Sequence, residues 1–188
     1  DHCAEIAPFL FATKYSGFKR GKKLTLMGGK GLKALFENLN TAFDHSLEIH
    51  KDYFQIIELD EKGSMNLNLE EIQLGYTTVY HKPESLAYRL TDKAGFSVVY
   101  SGDTDFCEPL IDLSRETDIL ICESAFPDGH KVSGHLTPSV AGEIAAKARV
   151  KKLVLTHFYP ECDDFDIKAQ CRNTFIGPLV LAEDLLKL

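Results

Sequence analysis

At 188 residues, 44% hydrophobic and 26% charged, the chain holds enough apolar material for one sizeable core, which excludes disordered and fibrous classes and makes residues 1–188 one expected domain. A net charge of −7 speaks against a broad basic surface built to neutralise a nucleic-acid backbone and favours small substrates. No apolar run approaches the roughly 18 residues of a membrane span, and the five cysteines lack C-x-x-C spacing; neither a disulfide framework nor a thiolate zinc site is suggested, and a reducing cytoplasm is the expected compartment.

Residues 3–13 are mostly apolar and predict a helix, with Pro8 in the early turns, where a missing N–H is tolerated. The five cations of residues 14–23 (KYSGFKRGKK) read as a solvated loop. Leu24-Thr-Leu-Met27 reads as a short buried strand closed by Gly28-Gly29. Leu32, Leu35, Phe36, Leu39 and Phe43 then recur at spacings of three and four, placing one apolar face on a helix over residues 31–43.

Residues 54–59, 71–81, 85–91 and 96–101 are strand-like, being short, rich in Val, Ile, Tyr and Thr, and punctuated by Gly or Pro. A helix over 109–115, a strand over 118–122, a helix over 137–148 and a strand over 152–156 follow; such alternation predicts an α/β fold with helices covering a sheet face. Thr137 suits an N-cap and Pro138 the first helical position. No internal repeat or linker divides the chain.

Metal-capable side chains sit where these strands end. His81 follows Tyr80 and precedes Lys82-Pro83, Asp103 follows Val98-Val-Tyr-Ser-Gly102, and His157 follows Leu153-Val-Leu-Thr156. Loops at one sheet edge commonly present a site in this way. Singly, each residue has an ordinary alternative, a packed histidine or a turn aspartate. His135 stands in a Gly-containing loop two residues before the Thr137 cap, and Glu123 ends a buried strand.

Taken together, Ser101-Gly-Asp-Thr104, Cys122-Glu-Ser-Ala-Phe126, His135-Leu-Thr137 and Leu155-Thr-His-Phe158 resemble, in order and spacing, the C-terminal half of ribonuclease Z-like hydrolases of the metallo-β-lactamase superfamily. Asp1-His2 looks like the tail of that superfamily's His-x-His-x-Asp-His signature, which places the N-terminal strands upstream of this chain. The resemblance implies an αββα sandwich lacking those strands. It implies that Asp1, His2 and His157 serve one metal, that His81 serves a second, and that Asp103 bridges both. Two zinc ions are expected in the complete enzyme, with manganese or iron as alternatives, since imidazole and carboxylate suit all three.

A hydroxide shared by the two metals would attack the substrate. His135 takes the position of a histidine that faces the scissile phosphate and, with Asp1, is the expected catalytic residue; it would bind a phosphoryl oxygen or protonate the leaving group. Glu123 would orient a histidine of the site. His45, His50 and His130 match no motif and read as surface residues.

The chain departs from tRNA-processing ribonuclease Z in having only residues 82–102 between His81 and Asp103, with no room for the long arm that grips tRNA. His135-Leu-Thr137 also replaces the more usual His-Ser-Thr. A small-molecule phosphodiester or related ester is therefore the expected substrate, with tRNA and membranes not expected as partners and a homodimer possible. Lactone, sulfate-ester or β-lactam hydrolysis on the same metals is the alternative chemistry, and a non-catalytic fragment the third reading.

Overall fold

The computed structural model describes residues 3–15, 23–67 and 72–187, so Asp1, His2 and most of the basic run of residues 14–23 lie outside the described residues. The chain forms two compact units, residues 1–60 and residues 61–188.

In the first unit, α1 (Ile6–Tyr15) and α2 (Leu32–Ala42) accompany a parallel pair of strands, β1 (Leu24–Gly28) and β2 (Phe54–Glu58). Ala7, Leu10, Leu47 and Phe54 form its buried cluster, with Phe36 and Leu39 of the predicted apolar helix face packed against it. Glu58 caps α2 from the neighbouring strand, its Oε1 accepting from Gly31 N–H at 2.8 Å and Lys33 N–H at 3.1 Å. Those N–H groups have no intrahelical partner, and they and Lys33 hold the Glu58 carboxyl below its usual range.

The second unit is a seven-stranded sheet in the order β3 (Lys62–Leu67), β4 (Ile72–Thr78), β5 (Leu86–Thr91), β6 (Ser97–Tyr100), β7 (Ile119–Glu123), β8 (Leu153–Thr156) and β9 (Leu179–Leu181). Strands β3 to β6 pair antiparallel, and β6 to β9 pair parallel. The helices α3 (Glu108–Leu113), α4 (Pro138–Ala148) and α5 (Ile167–Arg172) supply the crossovers, as parallel neighbours require. Val99, Leu120, Leu153 and Leu155 of the sheet pack with Leu110, Ala141, Ile144 and Ala145 of the helices in one buried cluster. Each fully buried Leu or Ile there contributes roughly 1.5–3 kcal/mol.

The predicted elements are found with their ends shifted by a few residues, and among the described residues further ones appear: β3, a single 3-10 turn over Pro160–Cys162, α5 and β9. Strand β3 runs through Gly63 and Asn66, poor strand residues, and owes its form to pairing with β4. Helix α5 and strand β9 have only six and three residues, too short to display a period in sequence. Thr137 is the N-cap of α4 as the sequence suggests, with Pro138 first in the helix, but its side chain caps nothing. The capping oxygen comes instead from Asp128, whose Oδ1 accepts from Ser139 N–H at 3.2 Å. The stretch between His81 and Asp103 is filled by the β5–β6 hairpin. All five cysteines are free.

Candidate metal centre

Strand β4 is antiparallel to β5 and β5 to β6, so β4 runs the same way as β6, β7 and β8. The C-terminal ends of these four strands therefore lie along one edge of the sheet. His81 follows β4, Asp103 follows β6, Glu123 ends β7 and His157 follows β8. The loop between β7 and α4 brings His135 over the same edge.

Among the described residues, His81, Asp103 and His135 offer ligand atoms that all lie within 4.8 Å of one another. His157 Nε2 stands 3.4 Å from Asp103 Oδ1. The rings of His81 and His135 are 4.9 Å apart by their centroids, and those of His135 and His157 lie 5.7 Å apart, nearly parallel. Four of the residues singled out by sequence are thus brought together. Asp1 and His2 lie outside the described residues. His45, His50 and His130 are exposed, as expected, His130 resting its ring against Phe165.

Local backbone geometry aims these side chains. His157 has φ 65°, a left-handed conformation uncommon for a residue with a Cβ and worth of order 1–3 kcal/mol of strain. The turn at His157 is held on both sides, by Ser124 N–H on the Thr156 carbonyl at 2.9 Å and Tyr159 N–H on the Ala125 carbonyl at 3.1 Å. Gly102, just before Asp103, also has positive φ, and a Cβ there would meet the Leu86 carbonyl oxygen at 3.2 Å. Both features favour glycine at that turn.

The two closest histidines are each fixed at one nitrogen. His81 donates its Nδ1–H to the Gly134 carbonyl at 2.9 Å, which leaves Nε2 as the ligand atom. His135 Nδ1 lies 3.0 Å from Glu123 Oε1. Glu123 is 2% exposed and is the acceptor for three backbone N–H groups as well, Thr104 at 2.8 Å, Leu136 at 3.0 Å and Ala125 at 3.2 Å. Burial pushes its carboxyl up to about 7, Asp103's charge adds to that, and the three backbone donors pull the other way. Its part in orienting a histidine, expected from its place at a strand end, falls to His135.

The donor set fits a divalent cation. Imidazole nitrogens whose opposite N–H is engaged by protein oxygen, facing a carboxylate, make up the familiar nitrogen–oxygen site of first-row metals. Phe126 and Tyr159 form the apolar wall of the cluster, stacked at 4.9 Å on each other, with Tyr159 edge-on to both His135 and His157. Phe126 closes one of the motifs noted in the sequence but was given no role there, and Tyr159 was not singled out. For Tyr159 the one available signal was its place two residues after His157.

A family model described as the β-lactamase superfamily domain matches residues 1–158. The chain belongs to that superfamily. Within it, a ribonuclease Z of Protochlamydia amoebophila is 33% identical over 133 residues, 69% of this chain and 40% of the relative. An uncharacterized protein of Mycobacterium leprae is 39% identical over 182 residues, 95% of this chain and 63% of the relative. The chain spans about two thirds of the length of the mycobacterial relatives, 63–66%. Among solved structures, the metallo-β-lactamase fold protein YhfI of Bacillus subtilis aligns with a TM-score of 0.79 at 23% identity, covering 97% of this chain and 70% of its own. The short form of human tRNase Z aligns at 0.66 and 21% identity, covering 89% and 68%. This superfamily chain thus has the α/β metallo-β-lactamase fold and a relationship to ribonuclease Z. No helix among its described residues is long and apolar enough to cross a membrane.

Proposed function

We propose that the protein is a metal-dependent hydrolase using two metal ions, zinc first among the candidates, on a small phosphodiester or related ester. The observation that carries this reading is the convergence of His81, Asp103 and His135 within 4.8 Å, with His157 beside Asp103. His81 and His157 would hold metal on either side of Asp103, with Asp1 and His2 completing the set by family resemblance. Bound divalent metal supplies Lewis-acid polarisation of the ester and a lowered pKa for water.

The protein's own contribution centres on His135. Glu123 Oε1 holds its Nδ1, so Nε2 is the nitrogen left to serve the substrate. In its protonated form this nitrogen gives its proton to the leaving-group oxygen as the ester bond breaks, and the Glu123 carboxylate balances the imidazolium charge. Phe126 stands edge-on to His135 and Tyr159 edge-on to His157, so the two aromatics flank both rings. The short β5–β6 hairpin between His81 and Asp103, together with the acidic net charge of −7, supports a small substrate over tRNA.

The test is metal content by elemental analysis of the complete protein, paired with hydrolysis of a nitrophenyl phosphodiester. Bound metal and activity that is lost on chelation and regained on metal addition are expected. A metal-loaded protein that leaves the phosphodiester intact but opens a lactone or sulfate ester would replace the substrate class, and a protein that binds no metal would end the reading.

A further inference from the structure

The turn after β6 carries a second aspartate, Asp105, two residues beyond Asp103, and its hydrogen bonds reach three segments of the site. Its N–H donates to the Tyr80 carbonyl at 2.7 Å, a bridge immediately before His81. Its Oδ1 accepts from Phe106 N–H at 2.7 Å, which fixes the orientation of the carboxylate. Its Oδ2 accepts from Lys131 Nζ at 2.6 Å and from Gly134 N–H at 3.0 Å. Gly134 in turn presents its carbonyl to His81 Nδ1 at 2.9 Å and is followed in the chain by His135.

We propose that Asp105 is a positioning residue that sets both His81 and His135 by gripping the backbone of Gly134. The grip is transmitted because nothing soft lies between. Gly134 has φ +88° and lies so close to His81 that a Cβ there would meet its Nδ1 at 3.0 Å. A shift of the Gly134 peptide therefore moves the acceptor of His81 and the mount of His135 together. Lys131 neutralises the carboxylate and is itself tied back to the Val132 carbonyl at 2.9 Å, which stiffens the same loop. The catalytic consequence rests on the hydrolase reading above, whereas the structural one does not.

The opposite end of the sheet supplies a matched control. Asp118 also pairs with a lysine, Lys151 Nζ at 2.7 Å, and accepts a backbone N–H, from Ser97 at 2.8 Å. Its side chain is 18% exposed, against 17% for Asp105. Asp118 touches no histidine of the site in these contacts, so its loss reports stability alone.

The experiment reads the His81 tautomer by long-range proton–nitrogen correlation in histidine-labelled protein, alongside kcat and KM on a nitrophenyl phosphodiester. Wild type should show His81 protonated at Nδ1. Asp105→Ala should lose that single tautomer and lower kcat by about 10–100-fold, the usual cost of removing a partner behind a ligand, with KM little changed. Asp105→Asn, which keeps one acceptor oxygen and carries the test if the alanine variant does not fold, should shift His81 in the same direction by less. Asp118→Ala should leave both readouts at wild-type values. An unchanged His81 in the Asp105 variants would overturn the proposal, as would an equal response in Asp118→Ala. If wild type cleaves no ester, the hydrolase reading fails and the tautomer measurement still decides the role of Asp105.

Discussion

The two ends of the parallel strands β6, β7 and β8 are built from similar residues and do different work. At the N-terminal ends, Ser97, Thr117, Asp118 and Lys151 close on themselves: Ser97 Oγ meets Thr117 Oγ1 at 3.0 Å, Asp118 accepts from Ser97 N–H, and Lys151 covers the remaining oxygen. Each donor there finds a nearby acceptor, although Glu116 and Arg149, both at φ 54°, bend the backbone into the left-handed region next to it. At the C-terminal ends, His157 is held at positive φ, Glu123 is buried among four donors, and imidazoles and a carboxylate converge within a few ångströms. Polar groups can be spent on closing a strand edge or on leaving ligand atoms facing one another. Positive φ occurs at both ends and does not separate them; the buried Glu123 and the ligand atoms left facing one another do, and they mark the candidate functional end.

The largest effect is expected from removing Asp103, the residue common to the converging groups. Asp103→Ala should lose bound metal and reduce hydrolysis to the level of the chelated protein, because a ligand couples to assembly of the site. Elemental analysis with and without the substitution checks it, and retained metal with retained activity would show that the C-terminal edge is no centre.

The next effect separates a proton donor from a ligand, a distinction the geometry leaves to experiment because His135 lies in the same cluster as His81 and Asp103. His135→Ala should keep its metal and lower kcat by roughly 10²–10⁴-fold on an alkyl phosphodiester. A nitrophenolate leaves without a proton, so the loss on that ester should be smaller. Equal losses on both esters would assign His135 to the phosphoryl oxygens, and loss of metal would make it a ligand.

Glu123 connects the two kinds of behaviour, being both buried structure and the partner of His135. Glu123→Gln keeps the shape but turns an N–H₂ toward either the Thr104 and His135 donors or the Ala125 and Leu136 donors. A drop in kcat of about 10–100-fold and a lower thermal midpoint are expected. In a His135→Ala background the further loss of kcat should be small, since the two act as one unit. Full additivity in that cycle would mean that Glu123 works through something other than His135.

How much of this was legible beforehand follows from the range of each signal. Asp103 and His157 stand out because an apolar run stops and a metal-capable residue follows, a pattern written within a few adjacent residues. His135 needed a family resemblance, and although Glu123 stood out at a strand end, nothing local names His135 as its partner twelve residues away in sequence. Asp105 and Asp128 escaped altogether. Each looks like an ordinary turn aspartate, and each acts on the backbone of a distant segment, Gly134 in one case and Ser139 in the other. Strand β3 was equally hidden, because its residues fit a loop better than a strand and only the partner β4 makes it one.

The smallest expected effect lies at the quiet end and concerns stability alone. The hydrogen bond from Lys151, with the Ser97 N–H, holds the Asp118 carboxyl below its ordinary value of 3.8, against a minor cost of burial. A folded-state pKa below the unfolded one means that the ionised group favours folding wherever both states are ionised, above that ordinary value. The contribution then fades as pH falls from the unfolded pKa through the folded one. Wild type and Asp118→Asn should therefore differ modestly in thermal midpoint near neutrality and converge in acid, while kcat stays the same throughout. A gap that persists in strong acid would point to lost packing in place of lost charge. A change in kcat would mean that the two ends of the sheet are coupled, and the contrast between them would have to be redrawn.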